Sequence, residues 1–377
     1  MDVYRAEAVI DLQAIADNVR ALAAHTHRPV MAVVKADGYG HGLLESATAA
    51  RAGGAAWLGA AVLEEAIALR RGGDTGPILT WLTVPGEDFR PAIGADVDVT
   101  AYSTDSLAAI AGAARDVGLV ARVQLKVDTG LNRGGATVAD WPALVESARR
   151  AEQDGLITVT GMWSHLACAD EPEHPSVRLQ VDNFSRAVDV VDAAGLRPEI
   201  RHLANSPGTV AHADTWWDIV RPGLAVFGLS PIPDRATPAD LGLVPAMTLR
   251  ARLAMVKRVP AGSGVSYGHQ YVTARETTLG VVPAGYADGV PRHASGRGPV
   301  LAAGRRRPVA GRICMDQFVV DLGDDPVATG DEVVLFGPGL HGEPTAQDWA
   351  DAAGTISYEI VSRIGGRIGR RYVGAPA

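Results

Sequence analysis

Short apolar runs alternate with Ala-rich helical stretches through the first two thirds of this chain, and that rhythm constrains the fold more than any other feature. Eight runs read as strands: 30–34, 57–61, 77–82, 97–101, 121–127, 157–164, 199–203 and 218–220. They are continuously apolar rather than alternating, which implies burial on both faces. Their interleaving with helices implies a parallel sheet. Eight such units within about 230 residues fit a closed, TIM-like (β/α) barrel. A doubly wound open sheet is the rival that periodicity leaves open. Helix starts are legible locally: Ser103 and Asp105 precede an apolar-periodic run. Asp11 opens a helix with Leu12, Ile15, Ala16, Val19 and Leu22 on one face.

The texture changes after Pro238. Strand-like runs at 249–256, 277–282, 299–302, 307–309, 317–321 and 332–336 are separated by Gly, Pro and Asp turns. Helical patterns return only at 346–353 and 359–364. This predicts a barrel domain over 1–237 and a mostly β C-terminal domain over 238–377. The first strand, near 6–11, is able to join the β domain. The segment 230–240, with Pro231, Pro233 and Pro238, reads as the linker. Arg305-Arg306-Arg307, followed by Pro308, reads as a turn.

Several function classes are disfavoured at once. The net charge is −8 with no basic stripe to offset it, which argues against nucleic acid as a partner. Two cysteines in 377 residues, Cys168 and Cys314, read as reduced cytoplasmic thiols. No Cys or His spacing suits a metal. No run of 18 apolar residues would span a membrane, and the acidic, quickly amphipathic N-terminus does not resemble a signal peptide.

In a parallel barrel, functional residues gather where strands end. The first strand ends in Lys35 and then Asp37, Gly38 and Tyr39. The fifth supplies Lys126, Asp128, Asn132 and Arg133, and the sixth Ser164 and His165. The seventh supplies His202, Asn205 and Ser206, and the eighth Arg221 and Gly223. Strand ends are commonly polar, but two lysines, two arginines and two histidines at one end are more than that accounts for. The run Asn205–Thr209 and the backbone after Arg221 suit a phosphate. Lysine, phosphate cradle and arginine together suggest pyridoxal phosphate. Gly38-Tyr-Gly-His-Gly42 is spaced G-x-G-x-G, not as a dinucleotide fingerprint.

The run VVKADGYGHG at 33–42 resembles the cofactor-lysine motif of the alanine racemase family. The resemblance continues in order through KVDTGLNR (126–133), SH (164–165), NS (205–206), RPG (221–223), VSYGH (265–269), GYADG (285–289), GRICMD (311–316) and SYE (357–359). It implies that Lys35 carries pyridoxal phosphate as a Schiff base and serves as one catalytic base, with Tyr267 as the other. Tyr39, Asn205, Ser206, Gly223 and Tyr358 would surround the phosphate. Arg221 would face the pyridine nitrogen with His165 hydrogen-bonded behind it, and Arg133 would touch the cofactor oxygen and the substrate carboxylate. Lys126 would be an N6-carboxylysine that orients Arg133. Tyr286 and Met315 would line the substrate pocket. A homodimer is implied, in which Tyr267, Tyr286 and Met315 serve the other copy's barrel.

Two bases follow from chemistry as well, because racemisation takes a proton from one face of Cα and returns it to the other. The same resemblance implies alanine as substrate and D-alanine supply to peptidoglycan. Decarboxylases of similar plan carry a glutamate near the ring nitrogen, where Arg221 stands here. Non-catalytic carriers of the cofactor lack the β domain and its tyrosine.

Overall fold

The computed structural model describes residues 4–374, and the chain divides into two compact units. One unit comprises residues 15–38 and 43–243. The other comprises 1–14, 39–42 and 244–377.

The first unit is built on seven parallel strands in sequential order: Met31–Val33, Trp57–Ala60, Ile78–Thr80, Asp98–Ala101, Ala121–Lys126, Ile157–Trp163 and Ile200–His202. Every side chain in the second and fourth of these is buried, as continuous apolar runs require. The eighth expected strand is reduced to a single bridge, Val30 to Val220. Its neighbours still hydrogen-bond on both sides. The Asp218 N–H donates to Arg201 O at 3.0 Å and the Arg221 N–H to Ala204 O at 2.9 Å. On the other side Met31 donates to Val220 O at 2.8 Å and Val33 to Pro222 O at 3.0 Å. The segment thus joins the first strand to the last, and the sheet closes into a barrel with no free edge. The open-sheet alternative is excluded by these bonds.

Met31, Trp57, Leu79, Trp163 and Ile219 form one buried hydrophobic cluster, with Trp81 and Ile200 packed against it. The register between the fifth and sixth barrel strands shifts at Val123 and Gln124. Gly161 lies opposite, and a Cβ there would meet the Gln124 side chain at 2.8 Å. The irregularity and the missing side chain together make room for a buried glutamine. Helix Thr104–Val117 begins as its sequence predicts: Ser103 accepts the Ser106 N–H at 3.1 Å, and Gly118 closes it in the left-handed region.

The second unit is mostly β. A six-stranded sheet runs in the order Arg305–Pro308, Pro299–Ala302, Glu332–Phe336, Met247–Arg252, Ala6–Asp11 and Gly369–Val373. Ala6–Asp11 alternates buried and half-buried residues, the period-2 signature of a sheet covered on one face. A three-stranded sheet pairs Met255–Val259, Thr277–Val282 and Phe318–Gly323.

Two expectations need correction. Arg305–Arg307 is strand, not turn. The turn sits just before it, where Ala303 (φ 50°) and Gly304 (φ 70°) adopt left-handed backbone. The arginines lie along an edge strand, which charge keeps from pairing further. The run 249–256 is two strands, Met247–Arg252 and Met255–Val259, separated at Leu253 and Ala254.

Candidate active site

Lys35 follows the first barrel strand directly. The backbone after it does not form the flexible loop its glycines suggest. Ala36, Asp37 and Gly38 have φ of 53°, 53° and 62° with ψ of 52°, 49° and 41°, a single left-handed turn. Two of the three carry a Cβ, at a cost of about 1–2 kcal/mol each. Neighbours hold the turn in place. The Glu65 carboxylate accepts the Ala36 N–H at 2.6 Å and the Ala61 N–H at 2.9 Å, while Asp37 accepts the Leu43 N–H at 2.9 Å. Backbone strain held by surrounding contacts is a feature of functional sites.

The Lys35 ammonium stands 5.8 Å from the Trp81 ring centroid. Burial holds its amine below the ordinary lysine range, and the charges of Arg133 and Arg221 push the same way, against Glu65. Lys126 is buried, with Nζ 4.3 Å from the centroid of Trp163. Burial, then Arg221 and Arg133, lower its pKa to about 8. Asp128, a conceivable partner for Lys126, instead accepts the Gly130 and Asn132 N–H groups at 2.9 and 3.1 Å. It thereby shapes the loop that carries Arg133, which is exposed.

Arg221 is buried and well bonded. Nη1 donates to His202 Nδ1 at 2.5 Å, and Nη2 to Ser164 O at 2.8 Å and to His165 Nδ1 at 3.2 Å. Its guanidinium lies 4.7 Å from the Trp163 centroid. Burial first, and then Arg221, hold both histidines well below the usual imidazole range. Both are therefore neutral acceptors at neutral pH. His165 was expected behind Arg221, and the nearer partner is His202. Asn205 caps the short helix Ser206–Ala211, accepting the Gly208 N–H at 3.0 Å. Ser206 Oγ accepts the Gly223 N–H at 2.8 Å and the Ala225 N–H at 3.3 Å.

The β unit carries the remaining residues. Tyr39 is buried, its ring 6.4 Å from that of Tyr358. Tyr267 follows Ser266, whose φ is 62° and whose hydroxyl donates to Arg312 O at 2.7 Å. The Tyr286 N–H donates to Cys314 O at 3.1 Å, and the Ala287 N–H to Met315 O at 3.0 Å. These bonds gather Tyr267, Tyr286 and Met315 around the segment Gly311–Asp316. All three are exposed, Tyr267 at 70% and Met315 at 53%. Gly285 is required there, because a Cβ would meet Met315 O at 2.3 Å.

Sequence reasoning missed Glu65, Trp163, Gln124 and Asp98, and saw His202 only as one polar strand end. None lies within a motif run, and each acts through contacts remote in sequence.

A parallel barrel with a buried lysine among cations at its strand ends, joined to a β unit that displays an exposed tyrosine, defines a class of two-part barrel enzyme. The family model for the alanine racemase N-terminal domain matches residues 10–231, and that for the C-terminal domain matches residues 246–372. The chain belongs to the alanine racemase family and is an enzyme of that family. It is 58% identical to the alanine racemase of Frankia casuarinae over 370 residues, covering 98% of this chain and 96% of the relative. It is 57% identical to that of Thermobifida fusca over 371 residues, covering 98% of each. The crystal structure of alanine racemase from D-cycloserine producing Streptomyces lavendulae matches with a TM-score of 0.98 at 57% identity, covering 99% of this chain and 98% of that one.

Proposed function

We propose that this protein racemises L- and D-alanine with pyridoxal phosphate, using Lys35 and Tyr267 of a partner subunit as the two bases. The observation that carries the reading is the placement of Lys35 at a barrel strand end on a left-handed turn that Glu65 and Asp37 hold, where burial and the charges of Arg133 and Arg221 keep its amine below the ordinary lysine range. The residues present fit the cofactor. A lysine amine suits its aldehyde. The Ser206 hydroxyl, which the Gly223 and Ala225 N–H groups hold by its oxygen, keeps its own proton to offer a phosphate, with Asn205 shaping the helix start. The family resemblance adds Tyr39 and Tyr358 as phosphate partners. Arg221 suits its ring nitrogen. Bound there, pyridoxal phosphate acidifies the Cα hydrogen of an attached amino acid.

The chain's own groups do the rest. Arg133 offers the cation that a substrate carboxylate needs. Lys35, with its lowered pKa, accepts or returns the proton on one face of Cα, and Tyr267 serves the other. Arg221 donates only, because a guanidinium cannot take a proton from the ring nitrogen. Held at a ring nitrogen, Arg221 would thus leave that nitrogen unprotonated and favour return of the proton to Cα over transamination. His165 and His202 stay neutral and receive Arg221. Tyr286 and Met315 border the substrate and keep its side chain small.

Lys126 is proposed to carry a carboxylate. Its neutral amine, favoured by a pKa near 8, adds to carbon dioxide and releases one proton. The resulting anion balances Arg133 and Arg221. The exposed trio Tyr267, Tyr286 and Met315 supports a homodimer in which each copy completes its partner's barrel site. Among the described residues no helix is long and apolar enough to cross a membrane. The reading is of a cytoplasmic enzyme supplying D-alanine for peptidoglycan.

The test is racemisation of L-alanine, L-serine and L-lysine followed by circular dichroism. Alanine should be the preferred substrate. A visible absorption band should vanish on borohydride reduction and be missing from Lys35→Ala. A chain that loses no optical activity from alanine, or keeps the band without Lys35, contradicts the proposal.

A further inference from the structure

Behind Arg221 a row of wholly buried polar side chains crosses the barrel interior. His202 Nε2 lies 2.8 Å from Gln124 Oε1, and Gln124 Nε2 donates to Asp98 Oδ2 at 3.2 Å. Asp98 also receives Arg122 Nε at 2.6 Å on Oδ1 and the Thr160 hydroxyl on Oδ2. The side chain of Asp98 is 0% exposed, and Gln124 and His202 are equally buried. Burial pushes the Asp98 carboxyl up, while Arg122, Thr160 and Gln124 pull it down. Arg122 and the Gln124 amide can only donate towards it, so both of its oxygens serve as acceptors. Trp163 stacks on His202, with ring centroids 5.7 Å apart and planes 8° from parallel.

The chemistry of the two ends leaves one arrangement. Arg221 has no acceptor, so His202 Nδ1 must present its lone pair to it. His202 then carries its proton on Nε2 and needs an acceptor there. Gln124 supplies one only if its carbonyl oxygen faces His202 and its NH₂ faces away. Asp98 demands that same NH₂. A flipped glutamine would set its NH₂ against the His202 Nε2–H and turn its own oxygen towards the Asp98 carboxyl.

We infer that Asp98 and Gln124 are positioning residues that fix the direction of a hydrogen-bond chain from Arg221 through His202 and Gln124 to Asp98, and so keep His202 as the Nε2–H tautomer that receives Arg221. For catalysis this rests on the reading of Arg221 as the donor at the cofactor ring nitrogen. The chain sets where that guanidinium points, although neither Asp98 nor Gln124 reaches the cofactor or the substrate. The shifted strand register and Gly161 admit Gln124 at this position.

Asp98→Asn has the same shape and reverses the direction. Its oxygen is claimed by Arg122, so its amide N–H faces Gln124, which must then offer its own NH₂ to His202. Gln124→Met keeps the volume and removes the link. The readout is ¹⁵N NMR of the histidine-labelled, cofactor-loaded enzyme, with His202 assigned by its loss in a His202 variant. Wild type should show a neutral Nε2–H imidazole. Asp98→Asn should show the Nδ1–H form or a mixture, and kcat for alanine should fall about tenfold with KM within about twofold. Gln124→Met should move the Nε2–H proton upfield as it loses its acceptor, with a similar fall in kcat.

An imidazolium or an Nδ1–H tautomer in wild type overturns the inference, whichever variants fold. So does a folded variant whose His202 signals match wild type, even if its Tm is lower. Wild type that shows the neutral tautomer but does not racemise alanine sinks the proposed function and leaves the hydrogen-bond chain standing.

Discussion

Ala36 is an alanine in left-handed backbone, one residue beyond the amine on which the proposed chemistry depends. Left-handed backbone costs about 1–2 kcal/mol for a residue with a Cβ, whereas glycine pays roughly 0.5–1 kcal/mol in entropy. Ala36→Gly should therefore leave stability unchanged or raise it by up to about 1.5 kcal/mol, with Tm unchanged or higher, while kcat falls as the turn loosens. A drop in Tm would show that the turn is not strained. Lys126 offers a second test at this scale. Its folded pKa, about 8, lies below the 10.5 of a free lysine. The unfolded chain thus binds the extra proton between those values. The penalty is full below about pH 8 and fades as pH rises towards 10.5. In carbon-dioxide-free apoprotein, Lys126→Met should raise Tm most at pH 6–8, with the gain shrinking at higher pH. Bicarbonate should raise the Tm of wild type alone. A gain that grows with pH would contradict the sign of the shift.

At the scale of elements, Glu65 ties two strand ends together by accepting the Ala36 and Ala61 N–H groups on separate oxygens. Glu65→Gln leaves one of these donors without its acceptor. That should cost about 1–3 kcal/mol by denaturant titration, with a fall in kcat larger than that for Ala36→Gly. Gly285→Ala would drive a methyl group into Met315 O and displace both Tyr286 and Met315, so KM for alanine should rise. The strands of the barrel were legible because burial on both faces leaves a continuous apolar run. The motif residues were legible because they sit together at strand ends. Glu65, Gln124 and Asp98 were not, because a carboxylate in a helical run or a glutamine in an apolar strand has no local signal. The bonds that give Gln124 and Asp98 their roles span 24 to 78 residues of sequence, and the bond from Glu65 to Ala36 spans 29. The edge strand Arg305–Pro308 was hidden by its charge, which marks a turn and an edge strand alike.

For the whole molecule, the proposed site is split between copies. Mixing inactive Lys35→Ala and Tyr267→Phe subunits should restore activity, because half of the random dimers carry one intact site. About a quarter of the wild-type rate is expected. No recovery would place both bases in one copy. Two bases acting from opposite faces of Cα is the central claim, and isotope exchange reads it directly. L-Alanine incubated with the enzyme in D₂O should give D-alanine that carries deuterium at Cα from the first turnover, while the remaining L-alanine keeps its proton, as NMR and chiral chromatography can show. Lys35→Ala and Tyr267→Phe should each suppress that deuterated product. Early D-alanine that retains the original proton would mean that one base serves both faces, and would contradict the account.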